Sequence, residues 1–120
     1  MIKHIAFTMY SVTDMKRARK FYEEDLGLEV TNNFDEKWVE YHLENGCFAI
    51  TTMVPDVKPS MSAGGSIAFE VDDLDKELAR LKARKVPIPV ENIESPVCRM
   101  FVAADPEGNA VTLHQKKPGK

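Results

Sequence analysis

Cysteine is scarce in this chain: Cys47 and Cys98 are the only two, and neither belongs to a Cys-x-x-Cys pair. That excludes a disulfide framework, and both thiols read as reduced, structural residues of a cytoplasmic protein. No apolar run approaches the roughly 20 residues of a membrane helix, so no membrane partner is expected. The first residues lead straight into a strand-like pattern, so no secretory leader is expected either. An excess of positive charge is missing too. The formal net charge is −3, and the basic clusters Lys16-Arg17, Arg19-Lys20 and Lys116-Lys117 are short. Without a basic stripe to neutralise phosphates, a nucleic-acid partner is not expected.

What is present suits one domain over residues 1–120. Residues 3–12 are β-branched, aromatic and apolar enough for a strand. Thr13 and Asp14 offer a helix cap, and Met15, Ala18, Phe21, Tyr22 and Leu26 recur at helical spacing, which predicts a helix over 15–25. Gly27 is its stop. Strands are expected near 28–34, 37–43 and 46–52, with Asn45-Gly46 as a hairpin signal. Residues 53–65 hold two prolines, two glycines and two serines and read as a linker. A strand at 66–71 follows, then caps at Asp72 and Asp73 for a helix near 74–84. Pro87 and Pro89 confine the next strand to an edge or to irregular structure. Strands at 98–104 and 109–114 complete the pattern, and the tail 116–120 is expected to fray.

This order repeats. Phe7 to Asp14 matches Ser66 to Asp73, 59 residues on, and Glu44 to Ile50 matches Pro106 to Thr112, 62 residues on. Self-similarity at such a period points to a duplicated βαβββ unit, with module 1 at about 1–52 and module 2 at about 66–115. One unit of that size buries too little surface to be comfortably stable, and pairing two remedies this.

Three motifs occur in order within that frame. They are the stretch from Val12 through Asp14, Phe21 and Tyr22 to Gly27, the strand and helix start from Ile67 to Asp75, and the turn Asp105-Pro-Glu-Gly-Asn109. Together they resemble the glyoxalase/bleomycin-resistance/extradiol dioxygenase (vicinal oxygen chelate) superfamily. The resemblance implies an α+β fold in which two βαβββ modules form a curved mixed sheet around a cleft. It also implies four cleft positions that, in metal-dependent members, carry His, Glu or Gln ligands. Here those positions fall on Phe7, Ile50, Ser66 and Thr112. Phe7 and Ile50 have no donor atom, and neutral hydroxyls alone hold a divalent ion poorly. No metal is therefore expected at these positions, and no other cofactor, while a displaced metal site drawn from His42 and His114 with Glu40 or Glu70 stays open.

Strand alternation lists the side chains expected in the cleft. Phe7, Met9, Trp38, Phe48 and Ile50 make its apolar wall, and Ser66, Glu70, Thr112 and His114 supply polar points, with Glu40 and His42 beside Trp38. An apolar lining with a few polar groups suits a small molecule. Several of these residues also have a structural reading: His114 solvent-exposed near the chain end, His42 with Glu40 as a strand-face pair, Glu70 bridged to a lysine, and Trp38 in a dimer interface. The leading expectation is a small organic molecule bound without a metal. The alternative is a lyase or isomerase acting on a small carbonyl compound, metal-assisted or not, with its acid–base pair drawn from Glu70, His114, Glu40 and His42. A homodimer is expected because a small curved sheet leaves edges to cover.

Overall fold

The computed structural model describes residues 1, 3–62 and 65–119. Of the linker 53–65, residues 63 and 64 lie outside the described residues, as does the last residue of the tail. The chain divides into two compact units, Met1–Pro59 and Ser60–Lys120.

The first unit runs β1 (Thr8–Ser11), α1 (Met15–Arg19), a π-helical segment (Lys20–Asp25), β2 (Asn32–Phe34), β3 (Trp38–Leu43) and β4 (Gly46–Thr51). Its sheet has the order β1-β4-β3-β2, with β1 parallel to β4 and the other pairs antiparallel. The second unit runs β5 (Ile67–Glu70), α2 (Leu74–Ala83), β6 (Val90–Glu94), β7 (Cys98–Ala104) and β8 (Ala110–Lys116). Its sheet has the equivalent order β5-β8-β7-β6, with β5 parallel to β8. The architecture is α+β, and the βαβββ connectivity occurs twice.

Local chemistry explains the boundaries. Asp14 and Asp73 are extended, and each accepts a 3.1 Å hydrogen bond from the backbone N–H three residues on, so both helices start with the same cap. Gly27, at φ +79°, ends the first helical stretch. That stretch was expected to be one α-helix. It widens instead into π geometry at Lys20–Asp25, where Phe21 and Tyr22 are both buried. Strand β1 begins at Thr8 rather than residue 3. Thr8 pairs with Phe48, and β4 begins at Gly46, so earlier residues soon run out of partner. Pro87 and Pro89 precede β6, which is an edge strand.

Each helix covers one face of its own sheet. Tyr22 packs on Phe48 and Tyr41, with ring centroids 5.1 and 6.3 Å away, and Tyr10 meets Phe48 edge-on at 5.4 Å. Val39 and Ile50 are fully buried on the same face. In the second unit Leu74 and Leu81 of α2 are buried, as are Phe101, Ala103, Val111 and Leu113 of the sheet.

This arrangement corrects the expected placement of two residues. Phe48 and Ile50 do not belong to the uncovered face. Phe48 pairs with Tyr41 and Ile50 with Val39, and cross-strand partners share a face. The uncovered face of β4 carries Cys47, Ala49 and Thr51 instead, opposite His42, Glu40 and Trp38. The error came from matching the two modules at one fixed offset across their last hairpin. Only Glu44 and Asn45 separate the paired residues Leu43 and Gly46, whereas residues 105–109 separate Ala104 and Ala110. One residue of slip turns every side chain to the other face.

Candidate functional site

On the uncovered face of the first sheet, β1, β4, β3 and β2 bring together Met9, Ala49, Trp38 and Glu40, and Asn32 and Phe34, with Phe7 just ahead of β1 against Trp38. Phe7 and Trp38 form an edge-to-face pair with centroids 5.1 Å apart. Phe7 is 45% exposed and Phe34, paired across the strands with Trp38, is 56% exposed. This is an aromatic wall left uncovered by its own module.

Glu40 is the anionic centre of that face. Its Oε2 accepts from Trp38 Nε1 at 2.8 Å, and its Oε1 accepts from Asn32 Nδ2 at 3.0 Å. His42 Nε2 lies 3.2 Å from the same Oε1. The Trp38 donor, helped by Asn32 and His42, holds the carboxyl below its ordinary value. Cys47, directly across from His42, completes the group, and burial together with the Glu40 charge pushes its thiol up. The donor atoms of Glu40, His42 and Cys47 all lie within 4.8 Å of one another. Cys47 and Asn32 were not anticipated as site residues. The signal for Cys47 was present, since any two-residue turn between β3 and β4 puts odd-numbered β4 residues on the side of Trp38, Glu40 and His42.

The uncovered face of the second sheet is plainer. Ala68 pairs with Thr112 and Glu70 with His114. Ser66 is exposed, one residue ahead of β5, and Thr112 is buried. Glu70 Oε1 lies 2.5 Å from His114 Nδ1, while Oε2 accepts from the backbone N–H of Lys116 at 2.9 Å. That amide bond, followed by the histidine contact, lowers the carboxyl's proton affinity. Glu70 therefore bonds a histidine and an amide rather than a lysine side chain.

A further groove of about 530 Å³ lies along the outer side of α1, among Asp14, Arg17, Arg19, Glu23 and Glu36. Its centre is a structural lock. Arg19 bridges Glu23 and Glu36, both at 2.7 Å, and Tyr41 donates to Glu23 at 2.8 Å. Alternating charges already bonded to each other make a poor small-molecule wall, so the aromatic face is the better candidate.

A family model described as Glyoxalase/Bleomycin resistance protein/Dioxygenase superfamily matches residues 2–113. Among solved structures, the chain is similar to an antibiotic binding protein from Streptomyces sp. CB03234, at 25% identity and a TM-score of 0.78, covering 97% of this chain and 98% of that one. A glyoxalase family protein from Bacillus anthracis is 20% identical, with a TM-score of 0.80 and 98% coverage of both chains. Lactoylglutathione lyase from Agrobacterium tumefaciens is 20% identical, with a TM-score of 0.75 over 96% of this chain and 95% of that one. No curated protein matches. Fold and motifs together define a protein made by doubling one βαβββ unit. The chain belongs to the glyoxalase/bleomycin resistance protein/dioxygenase superfamily.

The family's metal positions do not suit an ion here. Strand register makes Ala49, not Ile50, the counterpart of Thr112, because Met9 pairs with Ala49 as Ala68 pairs with Thr112. The four positions are then Phe7, Ala49, Ser66 and Thr112, of which the first two offer no lone pair and the others only hydroxyls. Among the described residues no helix is long and apolar enough to cross a membrane.

Proposed function

We propose that this chain binds a small organic molecule with an aromatic or otherwise flat apolar body, using no metal at the four family positions. The observation that carries the reading is the exposed Phe7 ring set edge-on against Trp38, with the ionised Glu40 bonded to that tryptophan. An apolar wall beside a few fixed polar groups holds and orients such a ligand. The 25% identical antibiotic binding protein supports a small-molecule ligand. Trp38 is the only tryptophan, so its fluorescence reports the site directly. Titration with aromatic antibiotics and related planar compounds is expected to quench it saturably. Phe7→Ala is expected to weaken binding about tenfold, the equivalent of roughly 1.4 kcal/mol. Quenching that fails to saturate with every compound, or is indifferent to Phe7→Ala, counts against the reading.

A second reading, a lyase or isomerase for a small carbonyl compound, is favoured by one observation. Glu70 and His114 form a close carboxylate–imidazole pair, the composition of a general acid–base couple. Turnover that survives the double variant Glu70→Gln/His114→Gln argues against it. A cytoplasmic homodimer completes the proposal, because β2 and β6 lie at the edges of their sheets and edge strands call for cover. Light scattering that gives the mass of one chain at micromolar concentration contradicts the dimer.

A further inference from the structure

We propose that Glu40, His42 and Cys47 form a three-ligand site for a thiophilic divalent cation, zinc foremost. The site uses none of the four family positions and lies within one sheet. It goes beyond the ligand reading and shares Glu40 with it, whereas the apolar wall of Phe7 and Trp38 contains no ligand of the ion.

The strand geometry supplies the convergence. His42 and Cys47 are directly opposed on β3 and β4, and Glu40 lies two residues from His42 on the same face. The three donor atoms lie within 4.8 Å of one another, and no other His, Cys or acidic trio among the described residues does so. Ligands at roughly 2.0–2.3 Å from a tetrahedral zinc sit about 3.3–3.8 Å apart. The separation of His42 Nε2 from Glu40 Oε1, 3.2 Å, nearly meets that already. The remaining adjustment is about 1 Å, within reach of a turn of the Cys47 thiol or of the exposed His42 ring. Sulfur, imidazole and carboxylate together select zinc-like ions over calcium or magnesium, which take oxygen donors.

The surroundings are also those of a metal site. Trp38 Nε1 and Asn32 Nδ2 each donate to Glu40 and fix its carboxylate from outside, and the backbone N–H of His42 is tied to Thr31 Oγ1 at 2.9 Å. Such outer bonds orient ligands and typically contribute about 10–100-fold to metal affinity. Three protein ligands leave a fourth position for water or an exogenous group.

The test uses the reduced, chelator-stripped full chain and Co²⁺ as probe. A thiolate-to-cobalt charge-transfer band is expected, saturating at one ion per chain and bleached by Zn²⁺. Cys47→Ser abolishes it, His42→Ala and Asn32→Ala each weaken cobalt by about tenfold or more, and Cys98→Ser leaves it unchanged. On the unaltered protein, Zn²⁺ is expected to protect Cys47, identified by peptide mapping, from alkylation. Absence of the band, its survival in Cys47→Ser, its loss in Cys98→Ser, or a Cys47 thiol that Zn²⁺ leaves unprotected overturns the proposal. Saturable quenching of Trp38 by an organic compound in metal-free buffer remains a separate result, so failure of one idea is distinguishable from failure of the other.

Discussion

The two modules share a frame and differ in what they put on it. In both the helix begins with an aspartate cap bonded at 3.1 Å, and both set their strands in the same order. Beneath its helix, module 1 stacks Tyr10, Tyr22, Tyr41 and Phe48, whereas module 2 packs leucines and valines around Phe101. On the uncovered faces, module 1 presents Phe7, Trp38, Glu40, His42 and Cys47, whereas module 2 presents Ser66, Ala68, Glu70 and His114. The repeated connectivity specifies the fold, and the chemistry resides in the side chains the frame leaves free to change. A functional residue is therefore better sought where the repeat fails than where it holds.

That contrast has measurable consequences. The largest is expected in the aromatic core. Phe48 is 1% exposed, and register makes Val111 its counterpart in module 2. Phe48→Ala is expected to cost about 3–5 kcal/mol through lost burial and a cavity, while Val111→Ala costs about 2. Urea unfolding of both variants reads the difference. Equal losses mean that the rings are not what holds module 1 together.

A smaller asymmetry is expected at the last hairpin of each module. In module 2 the buried Asp105 accepts from the backbone N–H groups of Glu107 at 2.9 Å and Asn109 at 2.8 Å, and from Asn109 Nδ2 at 2.9 Å. Gly108, at φ +90°, closes the turn. Asp105→Ala leaves these donors without their acceptor and is expected to cost about 3 kcal/mol. The exposed Asn45 of module 1 is expected to tolerate alanine within about 0.5 kcal/mol. Matching thermal shifts for the two variants remove this distinction between the turns.

Much of the frame was readable in the sequence. The caps Asp14 and Asp73, the stop at Gly27, the edge status of β6 and the facing of β3 and β8 follow from residue chemistry and alternation. The facing of β4 did not. Its run Phe48-Ala49-Ile50 is apolar throughout, so alternation gives no sign of which side is inward. The Asn45-Gly46 pair suggested those two residues as the turn, but Glu44 and Asn45 occupy it and neither has positive φ. The left-handed pair occurs instead at Asp35 and Glu36, between β2 and β3, where Glu36 is held by Asn33 and Arg19. Part of what holds it is not local, because Glu36 also binds Arg19, seventeen residues away. The Glu40 cluster was half visible. Glu40 and His42 stood out by alternation, while Cys47 was hidden by the misplaced face.

The turn at 105–109, five residues long against two in module 1, shows where such a chain accepts an extra residue. Added inside β8, it would invert the strand and drive Thr112 and His114 under the helix while turning Val111 and Leu113 outward. Added in the turn, it is taken up by Asp105 folding back on its own backbone, and the strands on either side keep their facing. Length polymorphism among related chains should therefore gather at this hairpin, while β4 and β8 stay constant in length. An aligner that forbids gaps inside the four-stranded sheets would match the two halves correctly, where a uniform shift does not.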